Sequence, residues 1–121
     1  MQNVLYVGSG YVGALSAIIM STQNPKINFT VFDINQTLIQ DWQRSVEELA
    51  RREKERVSKE EGEVNDASLP IYEPNLCQYL QKAATQGNIE FVNDGFQKQF
   101  EKADIIFVCV STPPLPPKPE G

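Results

Sequence analysis

This chain contains no histidine at all, and its two cysteines, Cys77 and Cys109, stand far apart. Without an imidazole, histidine acid–base catalysis and histidine-ligated metal chemistry are excluded. Two isolated cysteines cannot assemble a zinc constellation, so no metal site is expected. Positive charge is also short: 11 Lys and Arg face 16 Asp and Glu, for a net charge of −5. Such a chain lacks the electrostatic footprint for nucleic acid or an anionic membrane surface. No apolar run approaches the roughly 20 residues of a membrane span. Met1-Gln2-Asn3 leads straight into a glycine-interrupted strand rather than a signal peptide, so a cytoplasmic location is expected. In that reducing setting the two cysteines read as free thiols. A length of 121 residues allows one domain with a core of its own.

What is present is concentrated at the start. An apolar run, Val4-Leu5-Tyr6-Val7, enters Gly8-Ser9-Gly10-Tyr11-Val12-Gly13, and small apolar residues follow at helical spacing. Asp33 closes the next apolar run, roughly 20 residues beyond the last glycine, where a dinucleotide-binding βαβ unit needs an acid. Gly8 permits the turn off the strand, Gly10 lets backbone approach a pyrophosphate, and Gly13 lets the helix pack on the sheet. The free N–H groups and dipole of that helix start make an anion site. Asp33 can accept the ribose hydroxyls. The absence of a cation at Ile34 or Asn35 favours NAD over NADP. The bland alternatives are a ligand-free glycine turn and, for Asp33, a helix-capping role.

Along the chain, strands are expected at 4–7, 29–33, 89–92 and 105–110, and helices at 11–20, 36–61, 74–84 and 95–102. Alternation of this kind predicts an α/β, Rossmann-like, doubly wound parallel sheet, incomplete at about four of the usual six strands. The continuous apolar run at 105–110 predicts a strand covered on both faces. Residues 43–66 hold six basic and eight acidic residues, and read as a charged helical insertion that protrudes solvated from the domain. The proline-rich segment from Thr112 to Gly121 reads as a loop leaving the last strand.

Three segments together resemble the UDP-glucose 6-dehydrogenase family. They are the glycine motif, Leu69-Pro70-Ile71-Tyr72-Glu73-Pro74-Asn75-Leu76, and Phe107-Val108-Cys109-Val110-Ser111-Thr112-Pro113. The resemblance covers nearly the whole chain apart from the charged stretch. It implies an NAD-binding domain whose full-length family oxidises UDP-glucose to UDP-glucuronate with two NAD, through a cysteine thiolate. It assigns cofactor contacts to Gly8, Gly10, Tyr11, Val12, Gly13 and Asp33, and to Val110, Ser111, Thr112 and Pro113. It assigns no catalytic residue, because neither Cys77 nor Cys109 matches the family's nucleophile motif. Leu38 stands where the family usually carries an arginine that helps hold NAD, and the stretch between Trp42 and Leu69 is longer than the family's link. The expectation is a partial NAD-binding domain, 1–121, without the central and C-terminal UDP-sugar domains, inactive alone and self-associating through an open sheet edge. The alternative is a stand-alone, non-catalytic dinucleotide-binding or regulatory module.

Overall fold

A computed structural model describes residues 2–59, 69–70 and 73–110. In chain order they form β1 (Asn3–Val7), α1 (Tyr11–Gln23), β2 (Asn28–Phe32), α2 (Gln36–Lys59), α3 (Leu76–Gln86), β3 (Ile89–Val92), α4 (Phe96–Lys102) and β4 (Ile105–Val108). The four strands make one parallel sheet in the order β3-β2-β1-β4. This is the α/β architecture that the strand–helix alternation predicts. The chain builds outward from β1 to β3 on one side, then crosses to place β4 on the other. The reversal falls between β1 and β4, and open α/β sheets form their ligand crevice at such a point, beyond the strands' carboxyl ends.

Strand alternation sorts the sheet's side chains between two faces. Val4 and Tyr6 align with Phe29 and Val31, and these with Ile89 and Phe91. All six are buried in one apolar cluster with Ala14, Ala17 and Ile18 of α1 and Leu76, Leu80 and Ala83 of α3. The Tyr6 hydroxyl and Ser16 Oγ share a hydrogen bond of 2.9 Å, which fixes α1 over β1. On the opposite face, the Phe96 ring of α4 packs on Phe32 at 5.0 Å between centroids.

Two expectations are corrected. The charged stretch, expected to protrude over residues 43–66, is seated on the domain as far as Leu49. Ile39, Trp42, Ser45 and Leu49 are buried, and Trp42 stacks on Phe91 with ring centroids 5.1 Å apart. These residues recur on one stripe of the helix, and α3 supplies the surface that receives it. Charges such as Arg44, Glu47 and Arg51 take the other side. The charged stretch therefore continues α2 as far as Lys59, and its residues 60–66 lie outside the described residues.

The last strand is not covered on both faces. β4 ends at Val108 and lies at the edge of the sheet, with β1 as its only strand partner among the described residues. Phe107 stacks on Tyr6 at 4.8 Å yet remains 42 % exposed, and Val108 is 68 % exposed. Among the described residues the helices gather over β1, β2 and β3, and none forms a layer over the β4 side chains.

Candidate functional site

The site starts where β1 stops. Gly8 has φ +107°, a conformation that side chains rarely adopt, and its N–H donates to Phe32 O at 2.7 Å. A Cβ on Gly8 would meet the Cys109 carbonyl oxygen at 2.8 Å. A Cβ on Gly13 would meet Gly8 O at 2.2 Å and Cys109 Cβ at 3.0 Å. Both glycines are therefore demanded by close packing between the β1–α1 turn, the first turn of α1 and the residue after β4. Gly10 differs. With φ −65° and ψ −176° it is extended backbone open to any residue, so its conformation does not call for glycine. The absence of a side chain at Gly10 bears on what approaches the turn instead.

Gly10 is the N-cap of α1, and no side chain caps the helix. The first turn carries no acidic residue, and Val12 beside it is exposed. The N–H groups of that turn have no intrahelical acceptor, and the helix dipole adds partial positive charge. The arrangement can receive an anion by backbone alone.

Asp33 follows β2, and its N–H donates to Val92 O at 3.1 Å, which ties it to the end of β3. Its Oδ2 accepts the Ser9 N–H at 2.8 Å and the Ser9 hydroxyl at 3.1 Å. Its Oδ1 accepts the Asn35 N–H at 2.8 Å. Partial burial pushes the Asp33 carboxyl up. The hydrogen bonds from the Ser9 N–H, the Asn35 N–H, the Ser9 hydroxyl and the Ile34 N–H outweigh that and hold it below the usual aspartate value. Asp33 is thus an anion beside the glycine turn. The capping task that the sequence left open falls to Asn35, whose Oδ1 accepts the Leu38 N–H at 3.1 Å at the start of α2. Asp33 and the α1 N-terminus therefore converge, placing a hydrogen-bond acceptor suited to hydroxyls beside a helix start suited to anionic oxygens.

On the far side of the β1 end, the Cys109 N–H donates to Val7 O at 2.7 Å. Val110 comes next and is exposed beside the turn. The structure thus brings Gly8, Gly10, Val12, Gly13, Asp33 and Val110 to the carboxyl ends of β1, β2 and β4. The backbone of Tyr11 opens α1, while its side chain, Tyr72, Ser111, Thr112 and Pro113 lie outside the described residues. Leu38 packs its side chain against the core cluster, so the position offers an apolar contact in place of a cation. Cys77 is buried in α3, and Cys109 is half-buried beside Gly8 and Gly13. Sequence reasoning missed Ser9. The available signal was a hydroxyl within the turn facing an acid at the next strand's end. A hollow at the opposite end of the sheet, lined by Asn3, Asn28, Asn88 and Lys102 among others, lies at the strands' amino ends, away from the glycine turn. Among the described residues no group of three or more His, Cys, Asp or Glu could hold a metal ion. No described helix is long and apolar enough to cross a membrane.

Residues 52–118, more than half of the chain, match the sequence profile of the UDP-glucose/GDP-mannose dehydrogenase family, NAD binding domain. The UDP-glucose 6-dehydrogenase of Rickettsia typhi is 32 % identical over 112 residues, a match covering 93 % of this chain and 20 % of that protein. That of Caenorhabditis elegans is 30 % identical over 113 residues, covering 93 % of this chain and 18 % of that protein. This chain thus spans about a fifth of the length of these relatives. Among solved structures, a UDP-glucose dehydrogenase from Pyrobaculum islandicum superposes with a TM-score of 0.68 at 22 % identity, covering 96 % of this chain and 21 % of that one. A UDP-N-acetyl-mannosamine dehydrogenase from Staphylococcus aureus gives a TM-score of 0.56 at 18 % identity, covering 90 % and 19 %. At those identities the two structures establish the fold.

Proposed function

Because the chain belongs to the UDP-glucose/GDP-mannose dehydrogenase family through its NAD-binding domain, we propose that its crevice holds the adenosine and pyrophosphate half of NAD. The observation that carries this reading is the convergence of the uncapped α1 N-terminus and the Asp33 carboxylate at the β1–β4 reversal. Gly10 leaves room for pyrophosphate oxygens to reach the N–H groups of the first turn of α1. Asp33 accepts the ribose hydroxyls, and its negative charge repels a 2′-phosphate. Val110, with Ser111, Thr112 and Pro113 following it, borders the cofactor from the β4 side. Bound NAD would supply the hydride-accepting chemistry. The groups described here bind and orient it.

By the same reading, the chain serves as the N-terminal NAD-binding part of a nucleotide-sugar dehydrogenase acting on UDP-glucose. The sugar site and its nucleophile are contributed by segments beyond this sequence, in the cytoplasm. The exposed β4 edge favours self-association of the chain when it stands alone. Titration of the purified chain with NAD and NADP tests the reading. NAD should bind at least tenfold more tightly; equal affinity would remove Asp33 from the ribose. Incubation with UDP-glucose and NAD should yield no NADH, and turnover by these 121 residues alone would contradict the assignment of the sugar chemistry elsewhere.

A further inference from the structure

Ser9 holds the second position of the glycine motif, where the demands of turn and helix packing specify nothing. It is fully buried, so its hydroxyl needs a partner inside the protein. That partner is the Oδ2 of Asp33, reached by the hydroxyl at 3.1 Å and by the Ser9 N–H at 2.8 Å. The two residues belong to different connections, one leaving β1 and the other leaving β2. They are 24 positions apart in sequence. The other oxygen, Oδ1, is held by the Asn35 N–H at 2.8 Å. The carboxylate is therefore gripped from both sides and cannot swing about its side-chain bonds without breaking a charge-assisted hydrogen bond. A carboxylate has roughly four acceptor sites; Oδ2 already takes two hydrogen bonds, so the capacity left for a ligand lies on Oδ1.

We infer that Ser9 is a positioning residue for cofactor recognition: its hydroxyl splints the glycine turn to Asp33, fixing the carboxylate in one orientation beside the α1 N-terminus. The inference rests on the reading of Asp33 as the ribose acceptor. It couples the two halves of the crevice. The turn that receives the pyrophosphate also sets the acid that receives the ribose, so both contacts are arranged before the ligand arrives. Preorganisation of this kind raises affinity by removing an ordering cost from the binding step.

The test uses NAD as the probe with Ser9→Ala, Ser9→Thr, Asp33→Ala and the Ser9→Ala/Asp33→Ala double variant, folding being checked by circular dichroism. Ser9→Ala should weaken NAD binding about three- to tenfold, and Ser9→Thr, which keeps the hydroxyl, should recover most of it. In the Asp33→Ala background, Ser9→Ala should cost nothing further, because the serine acts through the acid. A second measurement needs no ligand. The Asp33 χ1 coupling constants from NMR should report one rotamer in the wild-type and Ser9→Thr chains and a reduced population of it in Ser9→Ala, where the backbone N–H groups of residues 9 and 35 still hold the carboxylate. An unchanged Asp33 rotamer in Ser9→Ala, or an equal loss of affinity with and without Asp33, would overturn the inference. Unaltered NAD affinity in Asp33→Ala would instead remove the ribose reading beneath it, while the rotamer measurement would still judge the splint.

Discussion

At the residue scale, the glycines of one motif do different work, and the difference is measurable. Gly13→Ala places a Cβ 2.2 Å from the Gly8 carbonyl oxygen, a backbone atom that cannot move aside cheaply. Urea denaturation should show a loss of about 1–3 kcal/mol, the ordinary cost of overpacking. Gly87→Ala meets nothing within 4 Å, but Gly87 has φ +76°; it should lose only the left-handed penalty of roughly 1–2 kcal/mol. Asp33 gives a pH prediction with a definite sign. Its carboxyl titrates below the ordinary value of 3.8 when folded, so its stabilising contribution is fully present above that value. The contribution fades as pH falls from there through the lower folded value. Thermal melts of wild type and Asp33→Asn should converge in that acid range and stay separated above it. A constant gap down to the lowest pH would contradict the hydrogen-bonding account of Asp33.

At the element scale, α2 is two-sided: charged outward, and seated on α3 and Phe91 inward. Trp42→Ala should cost about 3–5 kcal/mol, while Glu47→Ala on the exposed side should change stability by no more than about 0.5 kcal/mol. Equal, small effects at the two positions would contradict the seating of α2 on α3 and Phe91. This element shows what the sequence could and could not convey. The strands and the glycine turn were legible because short β-branched and aromatic runs, punctuated by glycine and closed by Asp33, have few other readings. Trp42, Val46 and Leu49 were visible at helical spacing, but period alone cannot reveal which neighbour a stripe meets, and the charges around them favoured a solvated helix. Element ends shifted for local reasons. α3 begins at Leu76 because Asn75 sits left-handed at φ 67°. α1 runs on to Gln23, where the Asn24 N–H donates to the Ser21 carbonyl oxygen and closes the helix. In the site, the backbone positions were legible as a motif. The Ser9–Asp33 bond was not, because it depends on how two loops meet in space.

At the scale of the whole molecule, an exposed sheet edge adjoins the crevice at the β1–β4 reversal. β4 presents an apolar, solvent-facing flank beside the cofactor site, with Phe107 and Val108 both open. Light scattering on the isolated chain should show association that rises with concentration, weakened by Val108→Lys, since a charge on an edge strand opposes strand addition. A monomer at every concentration would contradict this. The central claim, that these residues form a working NAD half-site, is tested most directly by calorimetric titration of NAD into wild type and Gly10→Val. Gly10 has an ordinary backbone conformation that valine can adopt, and the added side chain would stand where a ligand approaches the turn. The account predicts saturable binding in the wild type and its loss in Gly10→Val, with unchanged circular dichroism. Equal binding by both chains, or none by a folded wild type, would contradict it.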